Sequence, residues 1–329
     1  MNTNEQMVER VLDRITAGYV FPEKAERADA AIRRRLAAGE YTDLDGPALC
    51  RTVTSHLQEV CPDKHLRLLW TDLPQSLEPE DEDEGRSAFL ARLRAGNQGV
   101  RRVEHRDGNI GLIELGLIAD AAGGALVIGA AMQLVAHSTA LVLDLRTCLG
   151  GSPGGAAMWC SYFFGDDQVH LNDIYDRPTG VTRQYWTTAH LPAPRYTDRP
   201  VYVLTSSTTF SGGEDVAYTL QAHGRAVVIG ETTRGGAHPT VRHAITAHVQ
   251  VTVPVARAVN TVTGTNWEGV GVLPDVPVPA DRALDTALAA ALHTGPGAER
   301  DTGPGAGLDT ALNTPLNTGL DTALAAERR

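Results

Sequence analysis

Apolar side chains recur at helical spacing through the first part of the chain. Val8, Val11, Leu12 and Ile15 share one helical face. Two further sets repeat the pattern, namely Ala25, Ala28, Ile32 and Leu36, and then Leu49, Val53, Leu57 and Val60. Pro22 separates the first two segments and suits the first turn of a helix. We therefore predict helices over residues 5 to about 70, forming a small helical N-terminal domain.

Further along the chain, the apolar residues form short continuous runs instead. The runs at 110–115, 140–145, 201–204 and 226–230 are typical of strands buried on both faces. Helical patterns separate them at 119–136, at 211–222 and in a short segment ending near 163. We also expect strands at 248–255 and 269–272, a loop-rich insertion at 166–199 and a terminal helix at 280–292. Alternating strands and helices predict an α/β core.

The same patterns divide the chain into four parts. We predict a helical N-terminal domain (1–75), an acidic connector (76–104), an α/β core (105–293) and a low-complexity tail (294–329). The connector contains the run EPEDEDE, which is typical of a solvated loop. The tail repeats the words LDTAL and TGPGA, so we expect most of it to be disordered.

Composition narrows the classes of partner. The formal net charge is −11 and no basic tract is present, which argues against a nucleic-acid partner. The four cysteines form no C-x-x-C pair, so a zinc site is not expected. We expect no other metal and no organic cofactor either. The first residues are polar and no apolar run reaches membrane-spanning length. We therefore expect a cytoplasmic protein without membrane contact, and its oligomeric state stays open.

Ser211 is the first candidate for chemistry, because it lies between a predicted buried strand and a predicted helix. A serine on such a turn stands clear of the sheet, next to the unpaired N–H groups of the helix. However, Ser211 and Glu214 also match a capping box, in which the serine only ends the helix. Gly212 and Gly213 are poor helix formers and would give a substrate room beside the backbone.

A glycine-rich turn follows the predicted strand 140–145. Its sequence, LRTCLGGSPGG, matches neither phosphate-loop motif. Successive N–H groups in such a turn can face an anion, as in an oxyanion hole. A tight connection from strand to helix explains the glycines equally well.

Four segments together resemble one protein family. LVLDLRTCLGG, YVLTSSTTFSGGE, GRAVVIGETTRGGAHP and NWEGVGVLPDV resemble the tail-specific serine protease superfamily, in matching order over about residues 10–290. That superfamily includes C-terminal processing proteases, the tricorn protease core and the repeats of interphotoreceptor retinoid-binding protein. The resemblance implies an α/β catalytic domain with a crotonase-like ββα core.

The resemblance also implies a catalytic set. Processing proteases pair their serine with a lysine 25 residues later, where this chain has Gly236. Arg234 cannot replace that lysine, because a guanidinium does not lose its proton near neutral pH. The tricorn-like branch uses a histidine and a glutamate instead. The resemblance therefore implies Ser211 as nucleophile, His65 as general base and Glu268 as the carboxylate that orients the histidine.

Further site residues follow from the same resemblance. The N–H groups of Gly150 and Gly212 would form the oxyanion hole, and Gly151, Gly213 and Cys148 would belong to substrate binding. Cys148 stands where relatives usually carry asparagine, so we expect it to shape the turn.

The length of the connector narrows the branch of the family. Only about 40 residues separate the predicted general base from the first strand of the core, too few for a PDZ domain. The nearest pattern is that of the retinoid-binding-protein-like type. We treat His238, His243 and His248 as structural residues, because their five-residue spacing suits neither a helix face nor a metal-ligand pair.

We therefore predict a serine hydrolase or peptidase that cleaves a peptide or a small acyl substrate through an acyl-enzyme. Two alternatives stay open. One is a non-catalytic binding module for an apolar ligand or peptide. The other is a non-proteolytic acyl-transfer or cyclisation enzyme of a biosynthetic pathway.

Overall fold

The computed structural model describes residues 3–75, 90–91 and 93–294. The helices are α1 (Thr3–Gly18), α2 (Pro22–Ala37), α3 (Gly46–Val60), α4 (Ala121–Leu134), α5 (Pro153–Ser161), α6 (Gly212–Ala222) and α7 (Ala283–Thr294). The strands are β1 (Arg67–Trp70), β2 (Val100–Arg106), β3 (Ile110–Leu115), β4 (Ala140–Asp144), β5 (His170–Asp176), β6 (Val181–Trp186), β7 (Val201–Thr205), β8 (Val227–Gly230), β9 (Thr240–Ala244), β10 (Val249–Pro254), β11 (Ala256–Asn260) and β12 (Val276–Pro277). The acidic run EPEDEDE and the tail beyond residue 294 lie outside the described residues.

Three N-terminal helices form as predicted. The apolar faces of α1 and α2 are buried, and α1 contacts strand β10. Asp45 caps α3 by accepting a hydrogen bond from the N–H of Ala48 at 2.8 Å, and Pro47 follows it in the first turn. The helical prediction is wrong at residues 67–70, which form β1 and pair antiparallel with β10. The predicted domain boundaries remain predictions.

A six-stranded mixed sheet forms the centre of the α/β core. Its strand order is β12-β8-β7-β4-β3-β2. All neighbours are parallel except β2, which pairs antiparallel with β3. One face of the sheet belongs to the main apolar core, while α7 covers the other face through Ala283, Ala287 and Ala291. The serine turn follows β7 and the glycine turn follows β4. Because these parallel strands are neighbours, both turns lie at one edge of the sheet.

Two three-stranded sheets complete the fold, in the orders β1-β10-β9 and β11-β5-β6. The segment 166–199, predicted as loop-rich, contains the hairpin β5–β6. The prediction was wrong there because β6 is mostly exposed on both faces and so shows no apolar alternation. The predicted strand at 269–272 is also wrong. Gly269 and Gly271 have φ angles of 76° and 78°, which bend the chain into turns.

Among the helices of the described residues, none has both the length and the apolar character needed to cross a membrane.

Candidate active site

Ser211 occupies the strained turn that leads into α6. Its φ and ψ angles are 52° and −117°, a conformation that non-glycine residues rarely adopt. Such backbone strain costs about 1–3 kcal/mol and is common where a nucleophile is presented at the start of a helix. Gly150 lies directly behind, and a Cβ atom there would come within 3.0 Å of the Cβ of Ser211. The two turns are therefore packed backbone to backbone.

Glu214 holds this strained turn in place. Its carboxylate is buried and accepts hydrogen bonds from the N–H of Ser211 at 2.7 Å and the N–H of Gly236 at 2.9 Å. It also accepts from the N–H of Gly235 at 2.6 Å and the hydroxyl of Thr233 at 2.5 Å. Burial raises the pKa of Glu214, and the four hydrogen bonds oppose that shift. Glu214 thus caps α6, as the sequence pattern suggested, and also anchors the segment 233–236.

The glycine turn after β4 requires glycine at two positions. Gly150 and Gly151 have φ angles of 121° and 144°, and a Cβ on Gly151 would lie 2.0 Å from the carbonyl oxygen of Ile118. A Cβ on Gly212 would lie 2.9 Å from the nitrogen of Gly151, so this turn touches the start of α6. Within the described part of the chain, no hydrogen bond uses the N–H of Gly150 or of Gly212. Two donors thus remain available beside Ser211.

Cys148 lies beneath the glycine turn. Its thiol is fully buried and points to the carbonyl oxygen of Gly150 at 3.8 Å, and burial raises the pKa of the thiol to about 11. A Cβ on Gly213 would lie only 2.9 Å from the sulfur of Cys148. The predicted part of Cys148 and Gly213 in substrate binding would therefore be indirect, through the shape of the turn.

His65 lies in the segment between α3 and β1, and its side chain approaches the turn that holds Ser211. Its ring packs against the ring of Phe210, the residue before Ser211, with centroids 4.4 Å apart. Only 9% of His65 is exposed, and its Nδ1 atom has no hydrogen-bond partner among the described residues. Burial lowers the pKa of His65 to about 4, so the ring is neutral near pH 7 and can accept a proton.

Glu268 approaches the ring of His65. A ring nitrogen of His65 and carboxylate oxygens of Glu268 and Asp63 all lie within 4.8 Å of one another. The Oε2 atom of Glu268 accepts from the N–H of Ala237 at 2.6 Å, while its Oε1 atom is buried and lacks a partner within the described residues. Burial raises the pKa of Glu268 to about 7, and the neighbouring Asp63 adds to the shift. The histidine and the glutamate thus each have one unpaired buried atom.

Asp63 and His238 complete this buried network, and the sequence did not predict either role. Nδ1 of His238 lies 2.7 Å from Oδ2 of Asp63 and 3.4 Å from Oε2 of Glu268. Asp63 also accepts hydrogen bonds from the N–H of His65 at 3.0 Å and the hydroxyl of Tyr19 at 3.3 Å. The only sequence signal was their place within the segments DKHL and GGAHP. Treating His238 as merely structural missed its contact with Glu268.

The group Asp63, His65 and Glu268 is also the set of donors, among the described residues, that could hold a metal ion. Histidine nitrogens and carboxylate oxygens suit a divalent transition metal. The same arrangement also suits proton transfer from a serine to a histidine that a carboxylate orients. The sequence-based expectation of no metal stays a prediction.

Gly236 explains structurally why a lysine would not fit at this position. A Cβ on Gly236 would lie 2.6 Å from Cε1 of His65 and 2.3 Å from Cε2 of Phe210. The space that the lysine of a processing protease would need is therefore occupied by the two rings.

These elements enclose a cleft of about 290 Å³. Of the predicted residues, Ser211, His65, Gly212 and Gly151 line its wall, whereas Glu268 lies behind His238 and Ala237, which also line it. The structure thus brings a strained serine, a neutral histidine and the unused N–H of Gly212 to one cleft, with the unused N–H of Gly150 on the turn packed against Ser211.

Comparison with known proteins identifies a family model and similar folds. A family model described as peptidase family S41 matches residues 109–278. A putative peptidase from Parabacteroides merdae matches with a TM-score of 0.62 and 16% identity, over 90% of this chain and 98% of that one. A lipoprotein from Streptococcus agalactiae matches with a TM-score of 0.55 and 15% identity, over 88% and 96%. The photosystem II D1 C-terminal processing protease matches with a TM-score of 0.51 and 15% identity, over 91% and 99%.

Proposed function

This chain belongs to peptidase family S41 and is a serine-type peptidase, and we propose that Ser211, His65 and Glu268 are its catalytic residues. The observation that carries the proposal is the cleft wall shared by Ser211 and His65, with a carboxylate oxygen of Glu268 within 4.8 Å of a ring nitrogen of His65. We also propose that the core is crotonase-like and that the N-terminal helices form a helical domain, which shares one apolar core with the mixed sheet.

Proton transfer follows from the electrostatics of the cleft. The neutral ring of His65 takes the proton of Ser211 while Oγ attacks the carbonyl carbon of a peptide bond. The imidazolium that forms is unfavourable in a buried site, and the nearby Glu268 carboxylate stabilises it once the unpaired Nδ1 donates to it. The same imidazolium then gives its proton to the leaving amine, and water hydrolyses the acyl-enzyme.

The tetrahedral intermediate needs donors for its negative oxygen. We assign these to the N–H groups of Gly150 and Gly212, which have no acceptor among the described residues and flank Ser211. Each such donor stabilises the transition state by about 3 kcal/mol. Gly151, also on the cleft wall, gives the substrate backbone room to approach.

Peptides are the substrate class of the family. We propose in addition that small acyl esters react at the same serine, and that the protein acts in the cytoplasm without a nucleic-acid or membrane partner. A binding module would be favoured if His65 and Glu268 did not converge on Ser211. His65 shares the cleft wall with Ser211, and a carboxylate oxygen of Glu268 lies within 4.8 Å of a ring nitrogen of His65, which supports the hydrolase.

Labelling with a fluorophosphonate probe tests the assignment. We expect the wild type to be labelled, Ser211→Ala to be unlabelled, and His65→Gln to be labelled at least about 100-fold more slowly, since general-base catalysis contributes about 10²–10⁴-fold. Ser207→Ala is the matched control, because Ser207 is an exposed serine of the same turn.

Equal labelling of the wild type and Ser211→Ala would contradict the nucleophile. A screen of peptide and ester substrates separates proteolysis from acyl transfer. Labelling at Ser211 without cleavage of any peptide would favour the non-proteolytic alternative.

A further inference from the structure

Asp215 is a buried carboxylate that the proposed mechanism does not use. It lies one helical turn after Ser211, and its N–H donates to the carbonyl oxygen of Ser211 at 2.9 Å. Only 8% of the residue is exposed, yet it lines the same cleft as Ser211 and Gly212. An acidic group is thus fixed at a short distance from the nucleophile.

The partners of Asp215 are neutral. Its Oδ1 atom accepts from the amide of Asn172 at 2.5 Å and from the hydroxyl of Thr219 at 3.1 Å. Within the described residues, no cationic side chain forms an ion pair with Asp215. A buried carboxylate without a counter-ion is costly to ionise, and burial raises the pKa of Asp215 to about 7.

A second acceptor accompanies the carboxylate. The Oδ1 atom of Asn172 is buried and has no hydrogen-bond donor among the described residues, although Asn172 itself is only 4% exposed. The amide of Asn172 is used by Asp215, so the amide oxygen is left as an acceptor beside the carboxylate. Asn172 and Asp215 both line a smaller pocket next to the cleft, so the amide oxygen is a second acceptor near the carboxylate.

The walls of the cleft suit the stem of a long side chain. Ile174, Ala258, Pro153 and Trp267 provide apolar surface around Ser211 and Asp215. Lysine and arginine side chains bury their methylene groups on apolar surface and keep the charged end on polar partners.

We propose that Asp215, with Asn172, binds the cationic side chain of a lysine or arginine in the peptide substrate, next to the bond that Ser211 attacks. This inference rests on the proposed function, because it names the substrate class for the same cleft. The cation supplies the counter-ion that the buried carboxylate lacks, and its N–H groups donate to that carboxylate, which Asn172 holds in place.

A set of peptides that differ in one side chain tests the proposal. The residue before the cleaved bond is lysine or arginine in two peptides, and the neutral analogues norleucine or citrulline in two others. We expect the wild type to prefer the cationic peptides by about 10- to 100-fold in kcat/KM, as for a hydrogen bond to a charged group.

Asp215→Asn should reduce that preference to about onefold, because asparagine keeps an acceptor for Asn172 and Thr219 but removes the charge. Asp173→Asn is the matched control, since Asp173 lies on the same strand as Asn172 and pairs with His170 outside the cleft. It should keep the wild-type preference. A wild type without preference, or a preference that survives in Asp215→Asn, would overturn the proposal.

Two further measurements separate this proposal from the assignment of Ser211. Fluorophosphonate labelling of Ser211 in Asp215→Asn shows whether the variant folds with a reactive serine, because the probe carries no cationic side chain, and the control Asp173→Asn should be labelled at the wild-type rate. If no peptide is cleaved, binding of acetyl-lysine amide and acetyl-norleucine amide is measured by isothermal titration calorimetry. Tighter binding of the lysine compound, lost in Asp215→Asn, supports the site, and equal binding of the two compounds overturns it.

Discussion

Burial shifts the pKa values of His65 and Glu268, the two groups proposed to handle the proton and its charge, in opposite directions. It lowers the pKa of His65 to about 4 and raises the pKa of Glu268 to about 7, because each group loses solvation of its charged form. Separately, both residues favour their neutral forms. As a pair they stabilise the charged forms of each other, which is the state needed after Ser211 loses its proton. The electrostatics therefore favour charge separation only during the reaction.

The pH dependence of activity should report the ionisation of Glu268. Catalysis needs an ionised Glu268 and a neutral His65, so protonation of Glu268 removes the partner of the imidazolium. We expect kcat/KM to fall as the pH decreases through about 7. Glu268→Gln should lower kcat/KM by about 10- to 100-fold, and its acid limb should move toward the pKa of His65, which burial holds low.

The measurement is kcat/KM against pH for the wild type, Glu268→Gln and the control Glu104→Gln, whose glutamate lies on β2 and pairs with Arg102 and Arg106. An unchanged acid limb in Glu268→Gln would show that another group sets it.

The identities of the catalytic candidates could be predicted from the sequence, but their neighbours could not. Ser211 and Glu268 lie in segments whose family resemblance is specific, and His65 was found through the same resemblance. Asp63 and His238 are 175 positions apart, and a single buried contact joins them. Such a contact cannot be predicted from periodicity or spacing, because it depends on how β1 and the segment after Gly236 are packed together.

At the scale of elements, the site is a junction between two turns and a loop. The glycine turn after β4 packs against the start of α6, and Glu214 ties α6 to the segment 233–236. Gly236 in turn abuts the ring of His65. A change at Glu214 should therefore affect both the nucleophile and the general base, although the residue does not line the cleft.

Glu214→Gln tests this coupling. A glutamine retains one acceptor oxygen and directs an NH₂ group at donors that already need acceptors. We expect the free energy of unfolding to fall by about 2–4 kcal/mol, since buried donors lose their partner. We also expect fluorophosphonate labelling of Ser211 to slow while the variant is still folded.

Urea unfolding followed by circular dichroism, together with labelling rates below the transition, makes this measurement. Glu59→Gln is the control, because Glu59 is an exposed residue of α3 paired with Arg35, and such surface pairs contribute about 0–1 kcal/mol. If Glu214→Gln labels at the wild-type rate, Glu214 only caps the helix.

At the scale of the whole molecule, the site is assembled from distant parts of the chain. His65 lies between α3 and β1, whereas Ser211 follows a central strand of the mixed sheet. The buried strands of that sheet were predictable because continuous apolar runs mark them. The strands β1, β2, β5, β6, β9, β11 and β12 were not predicted, since their exposed or short segments show no clear pattern. Three of them nevertheless supply cleft residues, namely Ile174 of β5, Thr240 of β9 and Ala258 of β11.

One apolar core joins the N-terminal helices to the mixed sheet, which predicts a single unfolding transition. Leu12 of α1 is fully buried in the same cluster as Leu143 of β4 and Val203 of β7. Leu12→Ala should lower the free energy of unfolding by about 2–5 kcal/mol, the usual cost of truncating a buried leucine. Strand β10 contacts α1 and pairs with β1, which follows His65. We therefore expect the loss of stability in Leu12→Ala to affect the mixed sheet and the segment that holds His65 together.

Unfolding in urea is followed by tryptophan fluorescence and by fluorophosphonate labelling of Ser211. Both signals should shift to the same lower midpoint in Leu12→Ala, whereas Asp13→Ala, at an exposed position of α1, should match the wild type. Labelling that persists beyond the fluorescence transition would mean that the core folds without α1. Coincident transitions would mean that α1 and the site around Ser211 unfold as one cooperative unit.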